Sequence, residues 1–359
     1  MRKATALFLC GGMIFGLSAC GGSKSNTNTA PASGESQVQK SAAAGDTADS
    51  QETLDEANRT EESLVLRIAE NQAADSHLAK AMIKFGELVE EKSGGAMKVE
   101  VYLNAELGQE EEAIEQVDAG VIDIARVDAV NLTPYVPELE VLTLPYIFDN
   151  DDHKWSVFEG EVGQQLDDKL AEQGFINLGF LESGWRSFYA KKEIKGIPDL
   201  KGMKIRVQDS QVYIKMMDLF GAKATPMSFS EVFTSLQTGV VDAAENDPVS
   251  FLTSGHYEVA KYYLMDEHSA DISLFVMSKN IFDRLSSEEQ QIILDSAKEA
   301  VSWEKGFAKE LQKDAQTKAE ESGVTFIKAD KNEFQQAVLP IYDMYPQYSD
   351  MIAAIRESK

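Results

Sequence analysis

The chain has 359 residues, with 34 lysines and arginines against 60 aspartates and glutamates, a formal net charge of −26. So acidic a surface repels phosphate and argues against a nucleic-acid partner; the length exceeds what one core usually serves, so about two domains are expected. The two cysteines, Cys10 and Cys20, both fall in the first twenty residues, which excludes a disulfide framework, a cysteine zinc site or a thiol nucleophile in the folded part.

Arg2 and Lys3 form a short positive n-region, and Ala4 to Ala19 is mostly apolar, too short to span a bilayer comfortably, and ends in small residues. Residues 1–19 therefore read as a lipoprotein signal peptide. Leu17-Ser18-Ala19-Cys20 resembles the bacterial lipobox, in which the cysteine is acylated and becomes the first residue; an ordinary signal peptide or an uncleaved anchor is the alternative. Removing residues 1–19 takes the charge from −26 to −28, because Arg2 and Lys3 are lost and no acid is. Two acyl chains on Cys20 suffice for stable anchoring. Residues 20–63 follow as a lipid-anchored, disordered linker. Past the cysteine they lack aromatics, and Val38 and Leu54 are their only large aliphatics, so they cannot offset their ordering entropy. Such a tether spans about 40 Å.

From Leu64 the pattern changes. Leu64, Leu66 and Ile68 alternate as in a strand. Asp75 or Ser76 can cap a helix carrying Leu78, Met82, Phe85 and Val89 on one face, stopped by Gly94-Gly95. Val99, Val101 and Leu103 alternate again; Gln109 to Ala119 reads as a short helix, and Val121 to Ala125 as a strand. This order implies an α/β domain with a mainly parallel sheet. Ile176 to Phe180 is a further strand. Met203, Ile205 and Val207 alternate with Lys204, Arg206 and Gln208. Ser230 is placed to cap a helix to Thr238, ended by Gly239, and Ile272 to Met277 is a strand. Ser286 and Glu289 form a capping box opening a helix that reaches about Ala319, with Gly323 as its stop. The signatures of nucleotide loops, dinucleotide folds and serine-hydrolase elbows are missing. His77, His153, His256 and His268 are scattered, and Asp266-Glu267-His268 reads as a structural turn before it reads as a metal site. No cofactor and no metal is implied, and no positive sign of an enzyme.

Several ordered blocks carry a resemblance. Gly184-Trp185-Arg186-Ser187-Phe188-Tyr189 precedes Pro198-Asp199-Leu200-Lys201-Gly202-Met203-Lys204-Ile205-Arg206-Val207. Thr225-Pro226-Met227-Ser228-Phe229-Ser230-Glu231 follows, then Leu236-Gln237-Thr238-Gly239 with Asp242-Ala243-Ala244-Glu245-Asn246, then Tyr257-Glu258-Val259-Ala260-Lys261-Tyr262-Tyr263. Over residues 64–350 the chain resembles the extracytoplasmic solute receptors of tripartite ATP-independent periplasmic (TRAP) transporters. The resemblance implies a two-domain α/β fold like that of periplasmic binding proteins: mixed sheets flanked by helices, a ligand cleft between the domains, and a long helix in the C-terminal half spanning both. On that plan, residues 64–183 and 272–311 form domain I, and 184–271 and 312–359 form domain II. It also implies a monomer that closes on its ligand and a sodium-coupled membrane permease as partner, with no ATPase.

The resemblance assigns the ligand-binding residues. Arg206 pairs with the ligand carboxylate, Arg186 and Asn246 assist, and Phe229 lines the pocket; by position, Asn71 and Asp128 face the ligand from the other domain, while His77 starts a helix. Each has a plainer alternative: Arg206 in solvent beside Lys204, Arg186 stacked on Trp185, Asn246 in a turn, Phe229 in the core, Asp128 paired with Arg126. A guanidinium offers a carboxylate a planar fork that a lysine cannot.

Family members take dicarboxylates, sialic acid, sugar acids and keto acids. Ala69-Glu70-Asn71-Gln72 and the Arg186 block most resemble receptors for sugar acids, and an Asp128 in the cleft accepts from hydroxyls while repelling a second carboxylate. A uronate or aldonate is therefore expected, with a C4-dicarboxylate or other organic acid as the alternative; a lipid-anchored hydrolase and a sensor subunit are the readings from other classes. Ala243, where the family often has glycine, and the acids Asp247 and Asp271 depart from the pattern and bear on pocket polarity.

Overall fold

The computed structural model describes residues 63–358. The signal segment, Cys20 and the linker to residue 62 lie outside the described residues.

One nine-stranded mixed sheet runs through the described part, in the order β2-β1-β3-β8-β4-β7-β5-β6, with β9 also paired to β8. β1 (Leu64–Ala69), β2 (Met97–Tyr102) and β3 (Ile124–Asp128) are parallel, as the alternating apolar residues and intervening helices predict. β4 (Phe175–Ala190) and β8 (Tyr262–Ser278) are much longer than their apolar cores suggest. The far end of β8 pairs antiparallel with β3, and its near end pairs in parallel with β9 (Thr325–Lys328). The end of β4 pairs with β7 (Ala243–Asn246), which leads to β5 (Lys204–Val207) and β6 (Lys223–Pro226), again parallel. Two α/β halves thus share the β4–β8 ribbon.

The ribbon is irregular where it passes between the halves. Its register shifts between Glu182 and Trp185 and again between Arg186 and Phe188. Gly184 holds φ +84 in the first bulge, and a Cβ there would stand 2.7 Å from Asp247 Cβ. Only glycine meets both demands.

Helices cover both faces. Ser76 caps His77–Lys92, its hydroxyl accepting from the Ala79 amide at 3.0 Å. The Ser286–Glu289 capping box opens a helix of 35 residues, Ser287–Glu321, about 50 Å long. Near its start Ala297 and Ala300 pack with Phe85 and Phe275; near its end Ala319 packs with Tyr189 and Phe251. One helix therefore serves the cores of both halves. The C-terminal segment crosses back to the first: Tyr345 donates to Glu140 at 2.9 Å, and His153 Nε2 meets the Ile355 carbonyl at 2.7 Å.

Two local expectations shift. Ser230 caps nothing, because Phe229–Glu231 forms a 3-10 turn and the helix Val232–Thr238 starts from Glu231. The third strand begins at Ile124 rather than Val121, which is exposed. No helix among the described residues is long and apolar enough to cross a membrane.

Candidate functional site

The carboxyl ends of the parallel strands of both halves converge on one cavity of about 220 Å³. β1 leads to Asn71, β3 ends on Asp128, β5 leads to Gln208, β6 leads to Met227 and Phe229, and β7 ends on Asn246; all line the cavity. Ligands of open α/β sheets bind at this edge, and the volume suits one small molecule.

Arg206 is the third residue of β5. Alternation with Lys204 suggests a solvent-facing side chain, yet Arg206 is 3% exposed. Its Nε and Nη2 donate to the Met227 carbonyl at 3.0 and 2.8 Å, and among the described residues it forms no ion pair. Burial lowers its proton affinity; Glu245 opposes this, and Arg186 adds a smaller repulsion. A buried guanidinium with no carboxylate of its own, in the wall of a cavity, is suited to bind an anion.

The other expected residues divide. Asn246 and Phe229 stand beside Arg206 in the cavity wall. The Asn246 side-chain oxygen accepts from the Asp247 amide at 2.8 Å, which leaves its NH₂ group to offer; the residue ends a strand rather than forming a turn. Phe229 is half-buried, with its ring 5.5 Å from that of His256. Arg186 is not brought to the cavity surface. Its fork is held by Glu245 and Asp271, with Nη2 donating to Glu245 Oε1 at 2.8 Å and to the Glu245 carbonyl at 3.0 Å. It lies over Tyr213, not Trp185. His268 joins this cluster, 2.9 Å from Asp266 and 3.5 Å from Glu245. Burial alone would lower its pKa, but Asp266 and Glu245 raise it to about 9. The same cluster holds Glu245 at about 2: burial opposes its ionisation, and Arg186 and His268 together outweigh burial.

Across the cavity, Asn71 and Asp128 both line the wall and both belong to a network around Arg126, which is 1% exposed. Arg126 donates to Glu70 at 3.0 and 2.6 Å, to Glu110 at 2.9 Å and to Asp128 at 3.0 Å, and also to Asn71. Asp128 takes a further bond from Ser273 at 2.6 Å, and Asn71 donates to Glu110 at 2.8 Å. Burial, then Asp128, pushes Glu110 up to about 7, with Arg126 opposing. Asp271 is raised by burial and by Asp128.

The sequence offers Arg126 only as a partner for Asp128, a pairing the structure contains; Glu110, the first residue of the helix Glu110–Asp118, and Gln208, just past β5, carry no local signal of a site.

A family model described as bacterial extracellular solute-binding protein, family 7, matches residues 68–348. The chain belongs to this family. It is 36% identical over 286 residues to a solute-binding protein of Chromohalobacter salexigens, covering 78% of this chain and 85% of the relative. Among solved structures it resembles a TRAP periplasmic solute-binding protein of Xanthobacter autotrophicus with bound β-D-galacturonate, at 37% identity and TM-score 0.79, covering 82% of this chain and 100% of that one. A TRAP periplasmic solute-binding protein of Roseobacter denitrificans, with bound β-D-glucuronate, matches at 31% identity and TM-score 0.80, covering 82% and 100%. Family 7 membership makes the chain an extracytoplasmic solute-binding receptor of the TRAP type, with the two-domain mixed α/β fold of those structures.

Proposed function

We propose that this receptor captures a monocarboxylic sugar acid, a uronate or an aldonate, and delivers it to a TRAP permease in the membrane. The observation that carries the reading is the charge balance of the cavity wall. Seven carboxylates line it, among them Glu110, Asp128, Asp247 and Asp271, and Arg206 is the one cation there among the described residues. One guanidinium suits one carboxylate. A second carboxylate would meet acids, because Arg186 is already matched by Glu245 and Asp271. Hydroxyls, in contrast, are donors that carboxylates accept. The uronates bound in the related receptors support the same class.

In this reading Arg206 grips the carboxylate, the Asn246 NH₂ group assists, Phe229 packs against the sugar, and Asn71 and Asp128 face its hydroxyls. Arg186 supports the floor rather than touching ligand. The ligand leaves chemically unchanged, and prolonged incubation returning it intact separates a receptor from a hydrolase. Acylation at Cys20 tethers the receptor to the membrane; intact-mass measurement of the protein from membranes checks this by the added diacylglycerol.

A thermal-shift screen tests the ligand class directly, since a ligand at about 100 times its Kd adds about 2.7 kcal/mol of stability. D-Glucuronate, D-galacturonate or an aldonate is expected to raise the melting temperature. A response to succinate with none to uronates or aldonates contradicts the proposal.

A further inference from the structure

We propose that Gln208 reads a ligand hydroxyl and, through the same amide group, ties the two halves of the fold together across the cavity. The inference rests on the sugar-acid reading and extends it to a specificity residue. Gln208 follows β5 in one half; Asp128 ends β3 in the other. Gln208 Nε2 donates to Asp128 Oδ2 at 2.8 Å, so this bond bridges the cavity.

Asp128 cannot turn away, because its other oxygen is held by Arg126 at 3.0 Å and Ser273 at 2.6 Å. The Gln208 amide is therefore fixed as well. Flipping it would bring two acceptor oxygens face to face. Its Oε1 is left over: the atom is itself buried and has no partner among the described residues, on a side chain that is 7% exposed and lines the cavity, so a ligand reaches it only while the two halves are apart and is held as they close. A buried carbonyl oxygen without a donor is destabilising. A ligand hydroxyl supplies the donor; a hydroxyl-free dicarboxylate does not.

Gln208 lies two residues beyond Arg206, so in extended chain both side chains leave the same face. A donor at Oε1 also polarises the amide and strengthens its bond to Asp128. Hydroxyl recognition and closure of the cavity therefore favour one another.

Calorimetric titration of the wild-type protein, Gln208→Leu and Gln208→Glu with D-glucuronate tests this, alongside small-angle scattering of each unliganded protein. Gln208→Leu loses both bonds and is expected to bind roughly 10- to 100-fold more weakly. Gln208→Glu keeps an acceptor but opposes the charge of Asp128; it too binds more weakly, and its unliganded form has the larger radius of gyration. Wild-type-like affinity in Gln208→Leu overturns the proposal, and if that variant does not fold, wild-type affinity and radius in Gln208→Glu do so. A wild-type protein that takes succinate but no uronate or aldonate fails at the sugar-acid reading itself, and the hydroxyl role of Gln208 falls with it.

Discussion

Arg186 and Arg206, on β4 and β5, are separated in the sheet only by β7, and the charge of the first opposes that of the second. Arg186 is neutralised by Glu245 and Asp271, whereas among the described residues Arg206 donates only to the Met227 carbonyl. Two arginines that look interchangeable in sequence thus have different surroundings: one is matched by buried carboxylates, and the other lines the cavity with no ion pair among the described residues.

Removing Arg186 strands Glu245 and Asp271 in the interior, where they are 0% and 5% exposed. Breaking one side of a buried ion pair destabilises by about 3–5 kcal/mol. Arg186→Met is therefore expected to lower the urea midpoint of the unliganded protein sharply. A midpoint near wild type would mean that the pairs with Glu245 and Asp271 contribute little.

His268 makes stability depend on pH. Its pKa of about 9 lies above the ordinary 6.5 because Asp266 and Glu245 outweigh burial. A cation stabilised by folding contributes fully below the unfolded value and fades as pH rises toward the folded one. The melting temperature is therefore expected to fall between pH 6.5 and 9, by stability on the order of 3 kcal/mol. His268→Gln should flatten that segment; a variant with the wild-type slope would place its origin elsewhere.

Glu110 makes binding depend on pH as well. With its pKa near 7, it loses its proton between pH 6 and 8 and then repels an incoming carboxylate. A sugar acid is ionised throughout this range, so its own titration adds nothing. Affinity for D-glucuronate is expected to be severalfold higher at pH 6 than at pH 8, with a flatter profile in Glu110→Gln. Affinity that is level or rises with pH in the wild type contradicts this.

The first three strands, the helix capped by Ser76 and the long helix after Ser286 were legible because each has local apolar periodicity and its own start signal. β4 and β8 were not. Glu182 and Gly184 interrupt one, and Asp266, Glu267 and His268 the other, so only five or six residues of each read as strand. What extends them is pairing with each other and with β3, β7 and β9, which no local pattern reports. The site divides in the same way. Arg206, Asn246 and Phe229 could be placed from ordered blocks of sequence. The Arg126 network could not, because Glu70 and Glu110 reach it from positions 56 and 16 residues away. Arg186 carried the same family signal as Arg206, and only its buried partners distinguish the two roles.

In the proposed function Arg206 holds the ligand carboxylate and does nothing else indispensable. Titration calorimetry and thermal melting of Arg206→Ala test it together. Binding of D-glucuronate is expected to fall by at least the roughly 1.5–3 kcal/mol of a charge-assisted contact, while the unliganded protein melts at or above the wild-type temperature, because a buried cation without a counter-ion has been removed. Unchanged affinity, or loss of the unliganded fold, would contradict it.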